Sequence, residues 1–258
     1  MSRDVFPHAS IGAIRAFVNA AFPMSWDEWE PIYQAIRADF GYDQAADEHG
    51  RDRFLAHDGD WAAIEQFPDF TGKAVAIVGG STLNDEDHTV IHSADTVVAA
   101  GEIVEEMNNN GILPDMLVTD LDTTSAIPRD LSCAGVPVAI HAHGDNISQL
   151  DAVLPLVTPE WVLPTTQVKP VGPVVNTGGF TDGDRAAFLA DALGAETLVF
   201  PGWDFDDASV TPTKQRKLQW AERLVFWLEH YRGDRFTVLD GRRAAIEPID
   251  GENDEYLQ

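Results

Sequence analysis

"TVVAAGEIVEEMNNNGILPDMLVTDLDTT", residues 96–124, decides the fold. "TVVAA" (96–100) and "DMLVTD" (115–120) are short runs without a solvated face, and residues 101–110 between them carry helical spacing. Apolar run, helix, apolar run is the repeat of a parallel sheet covered on both faces. Outward from this unit, strands are expected at "AVAIVG" (74–79), "VPVAIHA" (136–142), "EWVLPT" (160–165), "VVNTG" (174–178) and "ETLVFPG" (196–202), with "RFTVLD" (235–240) as an edge strand. Helices are expected at 147–155 and 183–193, and a long one over 213–231 that buries Leu218, Ala221, Leu224, Val225 and Leu228.

Before residue 70 the pattern is purely helical. "IGAIRAFVNAAF" (11–22), "SWDEWEPIYQAIRADF" (25–40) and "DQAADEHGRDRFLAHDGD" (43–60) repeat apolar residues at helical spacing, and Ser25 with Glu28 forms a capping box. Trp26, Trp29, Ile32, Tyr33 and Ile36 make one stripe, read as a face packed on the main domain. The expected architecture is α/β: a Rossmann-like, mostly parallel sheet flanked by helices, with an N-terminal helical appendage. Its parts are a helical region (1–70), an α/β catalytic domain that includes the long helix (71–240), and an acidic tail (241–258).

Composition narrows the function. Lys and Arg number 17 against 43 Asp and Glu, a net charge of −26, and no basic run opposes it, which argues against binding nucleic acid or anionic membranes. With 44% hydrophobic residues, seven Trp and thirteen Phe, the chain folds rather than staying disordered. Such an acidic folded protein suits a potassium-rich, halophilic cytoplasm, where salt screens the repulsion. The lone Cys133 forms no disulfide framework and reads as a small apolar filler. No stretch approaches the roughly 20 apolar residues of a membrane span, so a soluble cytoplasmic protein is expected.

In an open parallel sheet, ligands lie beyond the carboxyl ends of the strands. Acids recurring there are a different population from surface charge. Asp120 and Asp122 follow such a run, and carboxylates at that spacing suit Mg²⁺ shared with phosphates; an Asx-turn or helix cap is the alternative. "IHAHGDN" (140–146) places His141 and His143 on one side of an extended chain, with Gly144 for a turn and Asp145 before a helix. Zinc would need further ligands, so phosphate or substrate contact is preferred for the imidazoles, with a structural role for one of them equally open. "NTGGFTDGDRAAF" (176–188) sets Gly178 and Gly179 before a helix that Thr181 or Asp182 caps, with Asp184 and Arg185 in its first turn. This is an anion site whose acids require an intervening cation, as in a metal–nucleotide complex; capping alone also explains Asp182. Gly79 and Gly80 form a glycine turn after the first strand, but neither a full dinucleotide fingerprint nor a Walker motif is present.

"PDMLVTDLDTT", "HAHGDN" and "GGFTDGDRA", in that order, strongly resemble the archaeal 6-hydroxymethyl-7,8-dihydropterin pyrophosphokinases, relatives of the thiamin pyrophosphokinases, over roughly residues 70–232. Thr123 stands where that family often has Gly, and "VGGSTLN" departs from its Gly-Pro-Ser turn. The resemblance implies pyrophosphate transfer from ATP to the pterin hydroxymethyl group with release of AMP, in tetrahydrofolate or methanopterin-type cofactor synthesis. It implies Mg²⁺ on Asp120, Asp122 and Asp145, joined by Asp182; Lys169 and Arg185 are candidate phosphate contacts because cations are otherwise scarce, and the cluster Lys214, Arg216 and Lys217 either closes over the polyphosphate or is surface charge of the long helix. His141, His143, Asn146 and Asn176 are candidate pterin contacts, and Trp203 is read either as a stacking ring or as packing. Thiamin pyrophosphokinase, an Asp-x-Asp phosphohydrolase and a non-catalytic nucleotide binder are the rival readings. ATP and a reduced pterin are the expected partners, and a homodimer is the expected assembly because closed two-fold oligomers are common.

Overall fold

The computed structural model describes residues 23–122 and 126–249. The helix expected at 11–22 and the residues Thr123, Thr124 and Ser125 lie outside the described residues. Six strands, β1 (Ala74–Val78), β2 (Thr96–Ala100), β3 (Met116–Thr119), β4 (Val138–Ala142), β5 (Val162–Thr166) and β6 (Thr197–Val199), form one sheet in the order β5-β4-β3-β2-β1-β6. Every pairing is parallel. The strands are buried along almost their whole length, as continuous apolar runs require when both faces are covered. The order steps outward from β1 to β5 and then reverses to place β6 on the far side of β1, so the reversal opens a crevice at the carboxyl ends of the strands.

Among the described residues, two helices precede the sheet: α1 (Trp26–Phe40) and α2 (Gln44–Ala56). The Ser25–Glu28 capping box starts α1, Gly41 in the left-handed region (φ 74°) ends it, and the Asp43 carboxylate caps α2. Trp29, Ile32, Tyr33 and Ile36 are buried and Trp26 packs beside them, in the same core as Val75, Ile77, Phe188 and Leu224. Full burial of such side chains contributes about 1.5–3 kcal/mol each.

Six further helices surround the sheet: α3 (Asp85–Ser93), α4 (Ile103–Asn109), α5 (Ala126–Cys133), α6 (Ile147–Val153), α7 (Asp182–Ala192) and α8 (Pro212–Arg232). Ala186, Ala187 and Ala190 let α7 lie close over β1, β2 and β3. Thr211 caps α8, Pro212 fills its first position, and Gly233 (φ 66°) closes it. Leu218 is only half-buried, whereas Ala221, Leu224, Val225 and Leu228 are buried as expected.

Three expectations need correction. Residues 174–178 form no strand: Val175 makes a single bridge to Thr165, Pro170 and Pro173 have no N–H to donate, and the Asn176 side chain turns the chain by accepting from the Gly178 amide. Residues 235–240 form a 3₁₀ turn at Thr237–Leu239, not an edge strand. Phe236 and Leu239 are both buried, and their spacing of three matches that turn. Cys133, at the end of α5, is exposed and is no core filler. At the C-terminal end Ile246 and Ile249 are buried in the main core, and Arg223 donates to the carbonyls of Glu247 and Pro248.

Candidate active site

The reversal of strand order leaves a cavity of about 470 Å³ over the carboxyl ends of the strands. β1 delivers Gly79 and Gly80, β2 delivers Gly101 and Glu102, β3 delivers Asp120 and Asp122, and β4 delivers His143 and Asp145. The first turn of α7 adds Thr181, Asp182 and Arg185, and α8 adds Lys214 and Lys217.

Asp120 and Asp122 reach the cavity through a strained turn. Thr119 Oγ1 accepts from the Leu121 amide at 2.9 Å, and Leu121 sits in the left-handed region at φ 70°. It is the one non-glycine residue with positive φ among the described residues. A leucine there costs roughly 1–2 kcal/mol and is held in place by its burial. The Asp122 amide approaches Asp120 Oδ1 at 3.4 Å.

The charges sort themselves by neighbour. Burial pushes Asp120 up, but His143, Arg185 and Lys217 outweigh it and hold the carboxyl at about 2. Burial and then the Asp120 charge raise Asp122. Burial and Asp120 push Asp182 well above the carboxylate range, against the opposing pull of Arg185, whose Nη1 lies 3.2 Å from Asp182 Oδ1. Asp182 also lies over Gly101, where a Cβ would come within 2.6 Å of its Oδ2. An ionised Asp120 that raises both Asp122 and Asp182 marks a cavity with affinity for a cation. Among the described residues, no group of three or more His, Cys, Asp and Glu side chains is arranged to hold a metal ion by itself.

The two histidines differ in environment. The Asp145 amide donates to His143 Nδ1 at 3.2 Å, so the ring proton belongs on Nε2, which faces Asp120 Oδ2 at 3.6 Å. His141 is fully buried and lines no part of the large cavity. Burial, Arg185 and His143 keep it neutral. Thr165 Oγ1 donates to Ile140 O at 3.2 Å and accepts from His141 Nδ1 at 3.1 Å. His141 Nε2 and Arg185 Nε are left without partners beside a separate void of about 10 Å³, roughly the room one water needs.

Several residues singled out from sequence lie elsewhere. Asn146 is buried, and its amide donates to Asp120 O and His141 O, both at 2.7 Å, so it shapes the site from behind. Asn176 donates to Val168 O at 3.2 Å. Gly178 and Gly179 press against Phe188 and the Arg185 backbone, where a Cβ would come within 2.8 and 2.6 Å. Lys169 is exposed outside the cavity, its carbonyl accepting from Arg51 at 3.0 Å. Arg216 pairs with Asp39 and lies over Phe40 at 4.7 Å, leaving Lys214 and Lys217 on the cavity. Asp184 turns back to accept from the amides of Phe180 (2.5 Å) and Thr181 (2.8 Å) as a helix cap. Trp203 lines the wall, its ring fitted against Gly79 and Gly183 and its Nε1 donating to Ile77 O at 2.9 Å.

The cavity also contains residues that sequence reasoning missed. Gly41, Tyr42, Asp43 and Asp47 reach it from the N-terminal helices, and Gln167 reaches it from the end of β5. Glu102 and Gln167 both follow a strand, the signal that located Asp120. Asp47 carried no signal, because "DQAADEHG" (43–50) reads as a solvated helix.

Residues 59–209 match the family described as 6-hydroxymethylpterin diphosphokinase MptE-like. The chain is 35% identical over 244 residues to a protein of Pyrococcus furiosus named 6-hydroxymethyl-7,8-dihydropterin pyrophosphokinase, covering 87% of this chain and 99% of that one. Proteins of the same name from Methanothermobacter thermautotrophicus and Methanocaldococcus jannaschii are 34% and 28% identical, over 79% and 80% of this chain and 94% and 96% of theirs.

Proposed function

Because the chain belongs to the MptE-like 6-hydroxymethylpterin diphosphokinase family, we propose that it transfers pyrophosphate from ATP to the hydroxymethyl oxygen of 6-hydroxymethyl-7,8-dihydropterin, releasing AMP. The observation that carries this reading is the placement of Asp120 and Asp122 at the end of β3, in one cavity with Arg185, Lys214 and Lys217. The acceptor hydroxyl attacks the β-phosphorus, and the oxygen bridging to the α-phosphate leaves with AMP. Attacking and leaving oxygens must lie in line, so the work of the protein is positioning and charge compensation.

Asp120, Asp122 and Asp182, with Asp145 at the rim, are the oxygen donors that would hold Mg²⁺. The donor set fits, since Mg²⁺ takes one or two carboxylates and completes its shell with water and substrate phosphate, and a cation would relieve the repulsion that raises Asp182. Bound there, the ion neutralises charge on the polyphosphate. Arg185, anchored by Asp182 and by Gln167 Oε1 at 3.4 Å, is set to bind phosphate, and Lys214 and Lys217 close the cavity from α8. His143 Nδ1 is already occupied by the Asp145 amide, so the hydroxyl proton goes to a carboxylate of the cavity.

The product belongs to folate- or methanopterin-type cofactor synthesis, a cytoplasmic process. The charge of −26 supports a salt-rich cell, and a homodimer is the proposed assembly. Among the described residues no helix is long and apolar enough to cross a membrane. Incubation with ATP, Mg²⁺ and the pterin in concentrated KCl, with thiamin as parallel acceptor, tests the assignment by product mass and AMP release. Pterin diphosphate with AMP is expected; thiamin diphosphate alone, or phosphate release without an acceptor, overturns it.

A further inference from the structure

Pyrophosphate transfer needs two ligands in one cavity, and the lining is chemically asymmetric. Gly79, Gly80 and the Trp203 wall stand at the β1 end, and the α8 cations enter with Lys217 Nζ 5.8 Å from the centroid of the Phe180 ring. The opposite end, over β4 and β5, is lined by Tyr42, Asp43, Asp47, His143, Asp145 and Gln167. What this side offers a ligand is the Tyr42 ring beside the Asp43 carboxylate, which suits a flat neutral ring edged with N–H donors.

The N-terminal helices are built into this end. Asp47 is 3% exposed; its Oδ1 accepts from the Gly144 amide at 2.8 Å, and its Oδ2 accepts from Tyr33 Oη at 2.7 Å and Gln167 Nε2 at 2.8 Å. Trp29 Nε1 donates to Gln167 O at 2.8 Å. A Cβ at Gly144 would come within 2.7 Å of Ala46 Cβ, and one at Gly50 within 2.6 Å of His143 O, so α2 lies directly on the turn that carries His143 and Asp145. The link between α1 and α2 then presents Tyr42. Its ring stacks on Phe40 (centroids 5.3 Å, planes 5°) and lies 6.4 Å from Phe180, and Tyr42 and Phe180 are the members of this trio that line the cavity.

We infer that the α1–α2 pair forms the ring pocket of the acceptor, with Tyr42 as a specificity-determining residue packed against the pterin and Asp47 as a positioning residue that fixes the pocket through Gly144. This deepens, and rests on, the functional reading above. It makes the N-terminal helices half of the acceptor site, leaving the nucleotide to the Gly79–Gly80 end.

The test compares Tyr42→Leu, which keeps apolar volume and removes the aromatic face, with Tyr42→Phe, which keeps the face. Loss of a ring–ring contact predicts a pterin KM raised about tenfold in Tyr42→Leu, with the ATP KM unchanged within about twofold and kcat largely retained. Tyr42→Phe should recover most of the pterin affinity that Tyr42→Leu loses. Fluorescence titration of the pterin without ATP should show the same weakening in Tyr42→Leu. A pterin KM and affinity unaltered in Tyr42→Leu, or a rise confined to the ATP KM, overturns the assignment. If Tyr42→Leu fails to give a cooperative melt, Asp43→Asn replaces it, and an unchanged pterin KM in that variant overturns the assignment equally. Wild-type protein inert toward the pterin would overturn the functional reading itself, and that outcome is visible before any variant is compared.

Discussion

Asp120 and Asp122 owe their geometry to a leucine in a conformation leucine disfavours. With Leu121 at φ 70°, the chain turns within one residue and sends both acids to the cavity. The two acids differ in charge environment, since His143, Arg185 and Lys217 hold Asp120 down while Asp120 itself raises Asp122. Asp122→Asn is therefore expected to melt like the wild type in high salt and to lose on the order of 10²–10⁴ in Mg²⁺-dependent kcat/KM, the scale of metal charge stabilisation. Near-normal AMP release would remove Asp122 from the site. Tyr33 supplies a pH test of the N-terminal helices. Burial and Asp47 push its phenol far above the usual 10.0. A folded pKa above the unfolded one contributes stability below about pH 10 that is lost as pH rises beyond it. Denaturant unfolding at pH 10 and 11 should show the wild type losing about 1 kcal/mol more than Tyr33→Phe over that step.

At the scale of elements, the strands were legible and the turns were not. Five buried β-strands, β1 to β5, follow from uninterrupted apolar runs, which no solvated element would carry. "VVNTG" and "RFTVLD" also carry apolar β-formers, but neighbouring prolines and an Asx-type hydrogen bond break the first, and the three-residue spacing of Phe236 and Leu239 makes the second a 3₁₀ turn. The contact between α2 and the end of β4 belongs to this scale, because glycines sit where the two backbones meet. Gly144→Ala should cost about 1–3 kcal/mol by denaturant unfolding, the range for overpacking, and should lower pterin turnover with it. Unchanged stability would show that the contact has slack.

The whole molecule carries its charge unevenly. Arg51, Arg53, Arg129, Arg185, Arg216, Arg232, Arg242 and Arg243 all take part in ion pairs, so about half of the 17 Lys and Arg are already committed against 43 Asp and Glu. Raising KCl from about 0.1 to 1 M shortens the Debye length from about 10 to about 3 Å, and the thermal midpoint should rise by about 5 °C or more. A midpoint insensitive to KCl would mean that the local pairs already balance the repulsion. Against this background the cavity concentrates Arg185, Lys214 and Lys217, which is the more telling in a chain so short of cations.

Local pattern by itself determined the parallel α/β sheet, the helices within residues 25–60, the acids Asp120, Asp122 and Asp145 that follow strands, and Asp182 at a helix start, because burial on both faces and residues at element ends leave periodic, short-range signals. It also marked His143, Arg185 and Lys217. Tertiary structure alone decided that Asn146, Asn176, Gly178, Gly179 and His141 support the cavity from behind, that Lys169 lies outside it, and that Tyr42, Asp47 and Gln167 line it. These roles rest on contacts between segments as much as 120 residues apart, such as Asp47 with Gln167. An acid on a polar helix looks the same in sequence whether its carboxylate faces water or a neighbouring amide, and only docking of α2 on the end of β4 distinguishes the two.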